Sequence, residues 1–365
     1  MHSPKSRRLH SAAASLPDEL IFDVLCRLPV KSVCLCRSVS RGWNLLVSDP
    51  AFVAAHRDRA RHGEPLLVLN CLDGCRDTDR DLKLMDMDGN VVRTMKDVGG
   101  SGLASTSMDD LVCVTDGKSG GARVIDPAIG KVLVVCPKLE VEHHHSCKDG
   151  IVGFGRAVLS GAYKLVHLVS SRPYCEVFTL GDDARWRRSP SPSTYVRNTK
   201  NSSVSLNGVI YFLALPSRNN YSLLCFDIDK EEWGKAIQGP PNGLGSPSEI
   251  DKVRITELNG ALCMVVFGTY ARASAHFWLL TCSDNNTWIN AYTIWTAGSY
   301  EYFPLTVTPD GGKLIFYCYS LEEGDILQVY DPHTQTCRTL RKLDYIVDKI
   351  GLCCLHLDRC VQVKI

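Results

Sequence analysis

The residues with the clearest metal-binding chemistry are three consecutive histidines and a nearby cysteine, His143-His144-His145 and Cys147. A structural zinc site needs four nitrogen or sulfur ligands placed as a tetrahedron. Adjacent histidines on an extended segment point to opposite faces, and no second ligand pair follows at zinc spacing. The pattern therefore favours a solvated loop, and the sequence predicts no metal site and no cofactor.

Cysteine is abundant, with 17 residues, but its pattern favours free thiols. The count is odd, and the pairs Cys34/Cys36 and Cys71/Cys75 lack the CxxC spacing of redox or zinc sites. A thiol inside an apolar strand behaves as a small hydrophobic group. Four cysteines lie in such runs: Cys113, Cys225, Cys263 and Cys318. We therefore expect a reducing compartment, the cytoplasm or the nucleus.

The sequence has no HExxH pair and no Walker loop, and its GxSxG-spaced segment, residues 117–121, is not followed by the helix that a nucleophile elbow needs. The segment Gly117-Lys118-Ser119-Gly120-Gly121 resembles a phosphate-binding loop, but no helical pattern follows it, and it predicts a hairpin turn. We expect a protein that is not an enzyme and has no catalytic residue. A site assembled from scattered loop carboxylates is the alternative.

One basic and aromatic stretch, Arg185-Trp186-Arg187-Arg188, precedes Ser189-Pro190-Ser191-Pro192. Arginine and aromatic residues are enriched at recognition surfaces, and Ser-Pro pairs in exposed loops are candidates for phosphorylation. A solvated strand end followed by a turn is the simpler interpretation of the same residues.

The overall composition is that of a globular protein, with 45% hydrophobic and 22% charged residues. The formal net charge is only +1, so no global charge attracts nucleic acid or an anionic membrane. No run approaches the roughly 18 apolar residues that span a bilayer. We expect neither a nucleic-acid partner nor a membrane partner.

The predicted secondary structure changes at Gly63, from helices before it to β-strands after it. Residues 1–14 are predicted to be a disordered tail, and residues 15–62 to be helical, with Ser15 able to cap the first helix. Pro29 ends that helix because a residue before proline resists helical geometry. Its apolar residues recur at three- and four-residue steps: Leu20, Ile21, Val24, Leu25 and Leu28.

From residue 63 to 365 the apolar residues recur with a period of two, as in β-strands. Short apolar runs alternate there with Gly, Asp, Asn and Pro. One sequence unit, which begins at a glycine and ends at an aspartate, occurs twice, from Gly208 to Asp227 and from Gly312 to Asp331. In both copies the aspartate lies 19 positions after the glycine. Weaker copies end near four further positions: Asp86, Asp126, Thr179 and Cys282. The copies are 40 to 55 residues apart, the length of a four-stranded blade. The region is therefore predicted to be a β-propeller of roughly six blades, closed by a strand from 351–363.

Within the helical segment, an LPxE sequence opens at Leu16, a Leu28-Pro29 pair separates two helices, and Val39-Ser40 precedes Trp43 at VSxxW spacing. Over about forty residues this segment resembles the F-box nearly end to end. The resemblance implies a fold of class α+β multidomain: a small F-box helical segment followed by an all-β propeller.

The resemblance also implies a partner, a Skp-type adaptor that connects the chain to a cullin–RING ubiquitin ligase of the SCF type. A segment of this size cannot close a core alone, so its apolar residues must pack on a partner or on the following domain. A purely internal helical core is the alternative. Nine residues are expected at or just behind the adaptor interface: Leu16, Pro17, Ile21, Leu25, Leu28, Pro29, Val33, Val39 and Trp43.

The remainder resembles the F-box-associated and kelch-like domains behind plant F-boxes. The resemblance rests on Tyr163-Lys164-Leu165-Val166, on the run from Tyr174 to Leu180 before Trp186, and on Phe226-Asp227 before Trp233. It implies a substrate receptor whose propeller binds a target protein, through loops at one mouth of the ring. Two alternatives stay open: an adaptor-binding scaffold without a role in ubiquitination, and a propeller-based ligand-binding protein or hydrolase.

Overall fold

The chain is described by a computed structural model. It describes residues 17–28, 30–61, 66–72, 80–100, 102–104, 111–116, 121–127, 130–136, 150–169, 175–181, 185–196, 202–214, 221–240, 253–267, 274–295, 299–308, 312–320, 322–343 and 347–353. Two compact units are present, Met1–Gly63 with His356–Ile365 and Glu64–Leu355. Within those ranges, no helix has the length and apolar character needed to cross a membrane.

In the part of the first unit that the structure describes there are four short helices: α1 Asp18–Cys26, α2 Val30–Cys36, α3 Arg41–Ser48 and α4 Pro50–Arg61. The cap position of α1 is Pro17 rather than Ser15, and no side chain caps that helix. Ser40 caps α3, because its hydroxyl accepts the backbone N–H of Trp43 at 3.1 Å. Pro50 is the first residue of α4, where its missing N–H costs nothing.

The helices pack around a small core of fully buried residues: Leu25, Val33, Val47 and Phe52. The ring of Phe22 meets that of Phe52 edge-on, with centroids 5.1 Å apart. His56, also buried, places Nε2 2.9 Å from the carbonyl oxygen of Leu28. Since a carbonyl only accepts, Nε2 carries the proton, and α4 is thereby tied to the end of α1.

Among its described residues the second unit has 25 strands: β1 Leu66–Leu72, β2 Arg80–Met85, β3 Val91–Met95, β4 Gly102–Ala104, β5 Val112–Asp116, β6 Gly121–Asp126, β7 Lys131–Cys136, β8 Gly150–Arg156, β9 Tyr163–Val169, β10 Cys175–Thr179, β11 Trp186–Ser189, β12 Ser203–Leu206, β13 Val209–Leu213, β14 Ser222–Asp227, β15 Glu232–Trp233, β16 Ile237–Gln238, β17 Val253–Leu258, β18 Ala261–Phe267, β19 Ser274–Cys282, β20 Thr287–Trp295, β21 Ser299–Val307, β22 Leu314–Ser320, β23 Gly324–Asp331, β24 Thr336–Lys342 and β25 Val347–Cys353.

These strands form six antiparallel sheets, so the predicted propeller of roughly six blades is confirmed. Blade 1 is β25-β1-β2-β3, blade 2 is β4 to β7, and blade 3 is β8 to β11. Blade 4 is β12 to β15 with β16 added beside β14, blade 5 is β17 to β20, and blade 6 is β21 to β24. Each blade is an antiparallel meander, which the period-two pattern and short turns favour.

The ring closes because the last described strand, β25, pairs antiparallel with β1. Gly351 lies opposite Val68, and the strand begins at Val347, four residues before the predicted closing run 351–363. Val347 and Ile350 are buried against blade 6, so this strand contributes to the core as well as to the ladder.

The core lies between the blades, with one apolar cluster in each of the six interfaces of the ring. Leu223 packs toward blade 5 while its neighbour Leu224 packs toward blade 3. Because both faces of such a middle strand are buried, it can carry apolar residues at successive positions as well as at alternate ones.

The six repeat positions found in the sequence lie at the end of the third strand of each blade, or one residue beyond it. At two of these positions a carboxylate closes the turn to the fourth strand. Asp227 Oδ1 accepts the N–H of Lys230 at 2.9 Å, and Asp331 Oδ1 accepts that of His333 at 2.9 Å. Aspartate recurs at this position because its short side chain bonds to the backbone of its own turn.

Eleven cysteines whose side chains the structure describes are free thiols. Cys113, Cys263 and Cys318 are fully buried between blades, and Cys225 is half-buried. Burial raises the pKa of Cys225 to about 11 and that of Cys263 further still. These thiols therefore act as small apolar side chains.

Candidate functional site

The helical unit carries an exposed apolar surface, here called the helical apolar surface. Its members are Leu20 at 51% exposure, Val24 at 56%, Leu35 at 67%, Val39 at 63% and Leu45 at 73%. They come from α1, from α2 and the turn after it, and from α3. Exposed apolar side chains gathered on one small unit indicate a protein-binding surface.

The nine residues predicted for adaptor binding occupy different environments. Two are exposed: Pro17 and Val39. Three are half-buried: Ile21, Leu28 and Trp43. Two are buried in the helical core: Leu25 and Val33. Leu16 and Pro29 lie outside the described residues. The buried pair supports the surface from behind, and the exposed and half-buried residues are available to a partner.

Four members of the helical apolar surface were missed from the sequence: Leu20, Val24, Leu35 and Leu45. The sequence of α1 did contain a signal, because the helix has two adjacent rows of apolar residues. Within each row the members are four positions apart. Leu20 and Val24 form one row, and Ile21 and Leu25 form the other. An apolar face wider than one core needs is a sign of a second contact.

Polar groups around this surface are engaged within the helical unit. Arg27, the residue after α1, donates to Asp23 of that helix at 2.8 Å, and Arg37 donates to Asn44 at 3.2 Å. The Arg27–Asp23 pair is more than half exposed on both sides, so its contribution to stability is small. The chemistry that this surface offers is therefore burial of apolar area against a partner.

On the propeller, one residue of the basic and aromatic stretch 185–188 packs against the core, and another contacts the neighbouring blade. Trp186 packs against Phe178, with ring centroids 5.3 Å apart, while Arg187 reaches the Glu231 carboxylate of blade 4. Buried Lys164 donates to the same carboxylate at 2.7 Å and to the carbonyl of Ile228 at 2.7 Å. Two cations of blade 3 thus hold one carboxylate of blade 4.

Of the two Ser-Pro serines, Ser191 is exposed, and Ser189 is half-buried with its hydroxyl 3.4 Å from the carbonyl of Glu231. The bond from Trp233 Nε1 to the carbonyl of Pro190, at 2.7 Å, fixes this segment on blade 4. It is an ordered strand end and turn, as the simpler interpretation predicted.

A second feature of the contact between blades 3 and 4 is the β8–β9 turn, residues 157–161. The Asp229 carboxylate of blade 4 accepts the backbone N–H groups of Val158 at 2.8 Å, Leu159 at 2.9 Å and Ser160 at 3.1 Å. The Leu159 N–H, with those of Ser160 and Val158, lowers the pKa of Asp229 below its ordinary value. The carboxylate therefore holds three successive donors, as in an anion-binding nest.

A hydrogen-bonded serine–histidine pair lies on β19, where Ser274 Oγ is 2.9 Å from His276 Nε2. The other ring nitrogen faces Thr293 at 3.2 Å and Asn290 at 3.3 Å. These groups are neutral, whereas a Ser-His hydrolase uses a carboxylate to stabilise the imidazolium. The arrangement joins β19 to β20 as a surface polar network.

The histidine cluster His143-His144-His145, together with Cys147, lies outside the described residues, as does most of the Gly117–Gly121 loop. The strands on either side of that loop do pair antiparallel, with Asp116 opposite Gly121. Among the residues that the structure describes, no three His, Cys, Asp or Glu side chains are grouped to hold a metal ion.

A helical unit with an exposed apolar surface, followed in the chain by a six-bladed propeller, defines a two-part protein-binding protein. Residues 83–350 match the family described as F-box associated beta propeller domain, and residues 14–54 match the F-box domain. The chain therefore belongs to the F-box proteins with an F-box-associated β-propeller.

Relatives in Arabidopsis thaliana agree with this assignment. An F-box protein is 22% identical over 87% of this chain and 83% of its own length, and an F-box/kelch-repeat protein is 22% identical over 86% and 77%. An F-box/LRR-repeat protein is 28% identical over 61% of this chain and 55% of its own length, so the chain spans about half of that relative.

The similarity to solved structures is low both in TM-score and in sequence identity. A chain of the nidogen/laminin complex has a TM-score of 0.44 and 13% identity, covering 81% of this chain and 99% of that chain. A 6-phosphogluconolactonase-like protein from Bacteroides uniformis has a TM-score of 0.45 and 9% identity, covering 79% and 99%.

Proposed function

We propose that this protein is the substrate-recognition subunit of an SCF-type cullin–RING ubiquitin ligase. The helical unit binds a Skp-type adaptor, and the β-propeller binds the target protein. The protein performs no bond chemistry itself. The observation that carries the proposal is the helical apolar surface, which lies on the segment that matches the F-box.

The energetics support a partner for this surface. Five large apolar side chains remain between 51% and 73% exposed on the helical unit. Burying one such side chain completely contributes roughly 1.5–3 kcal/mol. Association costs several kcal/mol of lost freedom, so one side chain is not enough. Covering the exposed parts of all five contributes roughly 5–9 kcal/mol, so an adaptor must cover α1, α2 and α3 together in order to bind.

The mechanism is proximity. The adaptor and cullin hold the receptor near a ubiquitin-loaded conjugating enzyme, and the propeller holds a target lysine within reach of it. A ring of six blades with interfaces packed all round is a rigid support for recognition. We place the complex in the cytoplasm or nucleus, which the unpatterned cysteines of the sequence support.

The test is binding of the purified full chain to a purified Skp-type adaptor, measured by calorimetry. The Leu28→Ala/Pro29→Ala variant is expected to lose most of the affinity while circular dichroism still reports the β-domain. If wild-type protein with a folded β-domain does not bind adaptor at micromolar concentration, the proposal is wrong.

A second arm separates a ligase subunit from a scaffold. The receptor is mixed with adaptor, cullin and RING protein, and the complex is analysed by gel filtration. Co-elution of all four supports the ligase role. A stable complex with the adaptor that excludes the cullin would instead identify a scaffold or competitor.

A further inference from the structure

The outer half of blade 5 carries an exposed tryptophan beside a group of uncharged polar side chains. In the β19–β20 ladder Ser274 lies opposite Trp295, and His276 lies opposite Thr293. Residues that lie opposite each other point to the same face of a sheet. Asn290 joins them, because its Nδ2 is 3.1 Å from Thr293 Oγ1. These five residues are here called the blade 5 polar–aromatic surface.

Trp295 is the apolar anchor of this surface. It is 68% exposed, although tryptophan is on average a highly buried residue. The edge of one ring meets the other where Trp295 contacts His276, with centroids 6.4 Å apart. Tryptophan supplies a large, rigid contact area at a low cost in conformational entropy. The indole therefore offers a flat apolar platform to a ligand.

The polar groups of the surface are linked to one another and keep further hydrogen-bonding capacity. Ser274 Oγ is 2.9 Å from His276 Nε2, and Thr293 Oγ1 is 3.2 Å from His276 Nδ1. A hydroxyl donates once and accepts twice, and an amide side chain donates twice and accepts twice. The bonds within the network use only part of this capacity. A ligand whose own groups both donate and accept matches such a surface best.

The two strands that form the surface are uncharged. β19 and β20 contain no Asp, Glu, Lys or Arg, whereas the other outer strands, β3, β7, β11, β15 and β24, each contain at least one. Burial lowers the pKa of His276, so its imidazole is neutral at neutral pH. Asp284 is in the turn at the far end of the hairpin, and Arg272 lies outside the described residues. A charged ligand would lose hydration on these strands without gaining a counter-charge.

Blade 4 covers only one end of this face of β20. At the covered end, Trp288 is buried and its Nε1 donates to the carbonyl of Gln238 at 2.7 Å. Beyond it, Asn290 and Trp295 are exposed. They are five positions apart on the strand, a distance of roughly 15 Å. The open part is therefore long enough for a chain of several linked units.

We propose that the blade 5 polar–aromatic surface binds a neutral carbohydrate chain. One sugar ring packs its C–H face on Trp295, and hydroxyls further along the chain bond to Thr293 and Asn290. A sugar combines an apolar C–H face with uncharged hydroxyls that donate as well as accept, which is what this surface matches. The sugar is a free oligosaccharide or a glycan carried by a protein. The inference goes beyond the proposed function and does not depend on adaptor binding.

The experiment applies the purified full chain to an array of immobilised oligosaccharides. The neutral members are chains of glucose, mannose, galactose, xylose or N-acetylglucosamine, and the acidic members contain uronic acids. Wild-type protein is expected to bind at least one neutral chain, and to bind acidic chains more weakly. Calorimetry then measures the affinity of the wild type and of variants for the neutral chain that binds most tightly.

Trp295→Ala is expected to weaken this binding about 10- to 100-fold, as for other exposed aromatic anchors. Asn290→Ala removes a hydrogen-bonding group and is expected to weaken it about 2- to 10-fold. Ile289→Ala is the matched control, because Ile289 is 50% exposed on the other face of the same strand. It is expected to bind like wild type, and thermal melts verify that all three variants are folded.

The proposal is overturned if no neutral chain binds, if acidic chains bind more tightly, or if Trp295→Ala binds as tightly as wild type. A glycoprotein that carries the same chain separates the two sources. Tighter binding to it than to the free chain, lost after enzymatic removal of the glycan, identifies a protein-borne sugar, and equal binding identifies a free one. Binding that requires Trp295 but survives glycan removal would mean that the surface binds polypeptide, and the proposal would be wrong.

Adaptor binding is measured in the same preparations. Trp295→Ala is expected to bind adaptor like wild type. If adaptor binds and the array fails, only the carbohydrate site is wrong. If sugar binds and adaptor does not, the proposed function is wrong and the carbohydrate site stands.

Discussion

The exposed leucine of α3 provides the sharpest test of how the helical unit binds. Leu45 is 73% exposed, whereas Leu25 in the core is 1% exposed. Complete burial of leucine contributes roughly 1.5–3 kcal/mol, so covering the exposed three-quarters contributes about 1–2 kcal/mol. Leu45→Ala is therefore expected to weaken adaptor binding about 5- to 30-fold. Alanine is chosen because it keeps helix propensity.

Leu45→Ala is expected to leave folding unchanged, because surface substitutions usually alter stability by less than about 0.5 kcal/mol. Leu25→Ala is expected to destabilise the helical unit by about 2–5 kcal/mol. Calorimetric titration with the adaptor gives the affinity, and proteolysis of residues 17–61 reports local unfolding. Val135→Ala, on the propeller, is the control of matched exposure.

The reasoning is refuted if Leu45→Ala binds adaptor as tightly as wild type while the helical unit is folded. That result would mean that the partner does not cover α3, and that the exposed side chains of this helix serve another contact. Equal losses in Leu45→Ala and Val135→Ala would point to a non-specific effect.

Three further predictions concern stability. Gly153→Ala is expected to destabilise the propeller by about 1–3 kcal/mol in a thermal melt, because the added Cβ would lie 2.7 Å from Phe212 Cζ. An unchanged midpoint would contradict this packing. Burial lowers the pKa of His167 to about 4, so between pH 6.5 and 4 the unfolded chain binds more protons than the folded one. Urea unfolding should show stability falling by about 2 kcal/mol from pH 7 to pH 5, and His167→Leu should remove that part of the slope. Ser40→Ala removes the cap of α3 and is expected to destabilise that helix by about 1 kcal/mol, with faster hydrogen exchange at the Trp43 amide; an unchanged exchange rate would show that the cap is dispensable.

The middle strands of the blades could be predicted because their signal is local. Three mostly apolar runs of the sequence are strands in the structure: Tyr163–Val169, Val209–Leu213 and Ala261–Phe267. Edge strands such as β8 and β11 carry a weaker signal for a physical reason. The outer β11, Trp186–Ser189, is solvated and basic, and the inner β8 is interrupted by three glycines, so neither presents an apolar run.

The glycines of β8 are needed because side chains of blade 4 lie directly against this strand. A side chain at Gly155 would overlap Ser205 and lie 2.7 Å from Ile228 Cδ1. The two inner strands approach so closely that only glycine fits there. A pattern search within one segment does not contain this information, because the neighbouring strand is about fifty residues further along the chain.

Local patterns in the sequence predicted the helical and β-strand parts of the chain, the spacing of the six blades and the resemblance to the F-box. Those features depend on residues a few positions apart: helical steps, turn aspartates and short motifs. Which apolar side chains are covered depends on the folded structure instead. It buried Leu25 and left Leu20 and Leu45 exposed, and it brought Asp229 to the Leu159 turn seventy residues away. Burial depends on contacts between distant segments, so periodicity defines an apolar face but not what covers it.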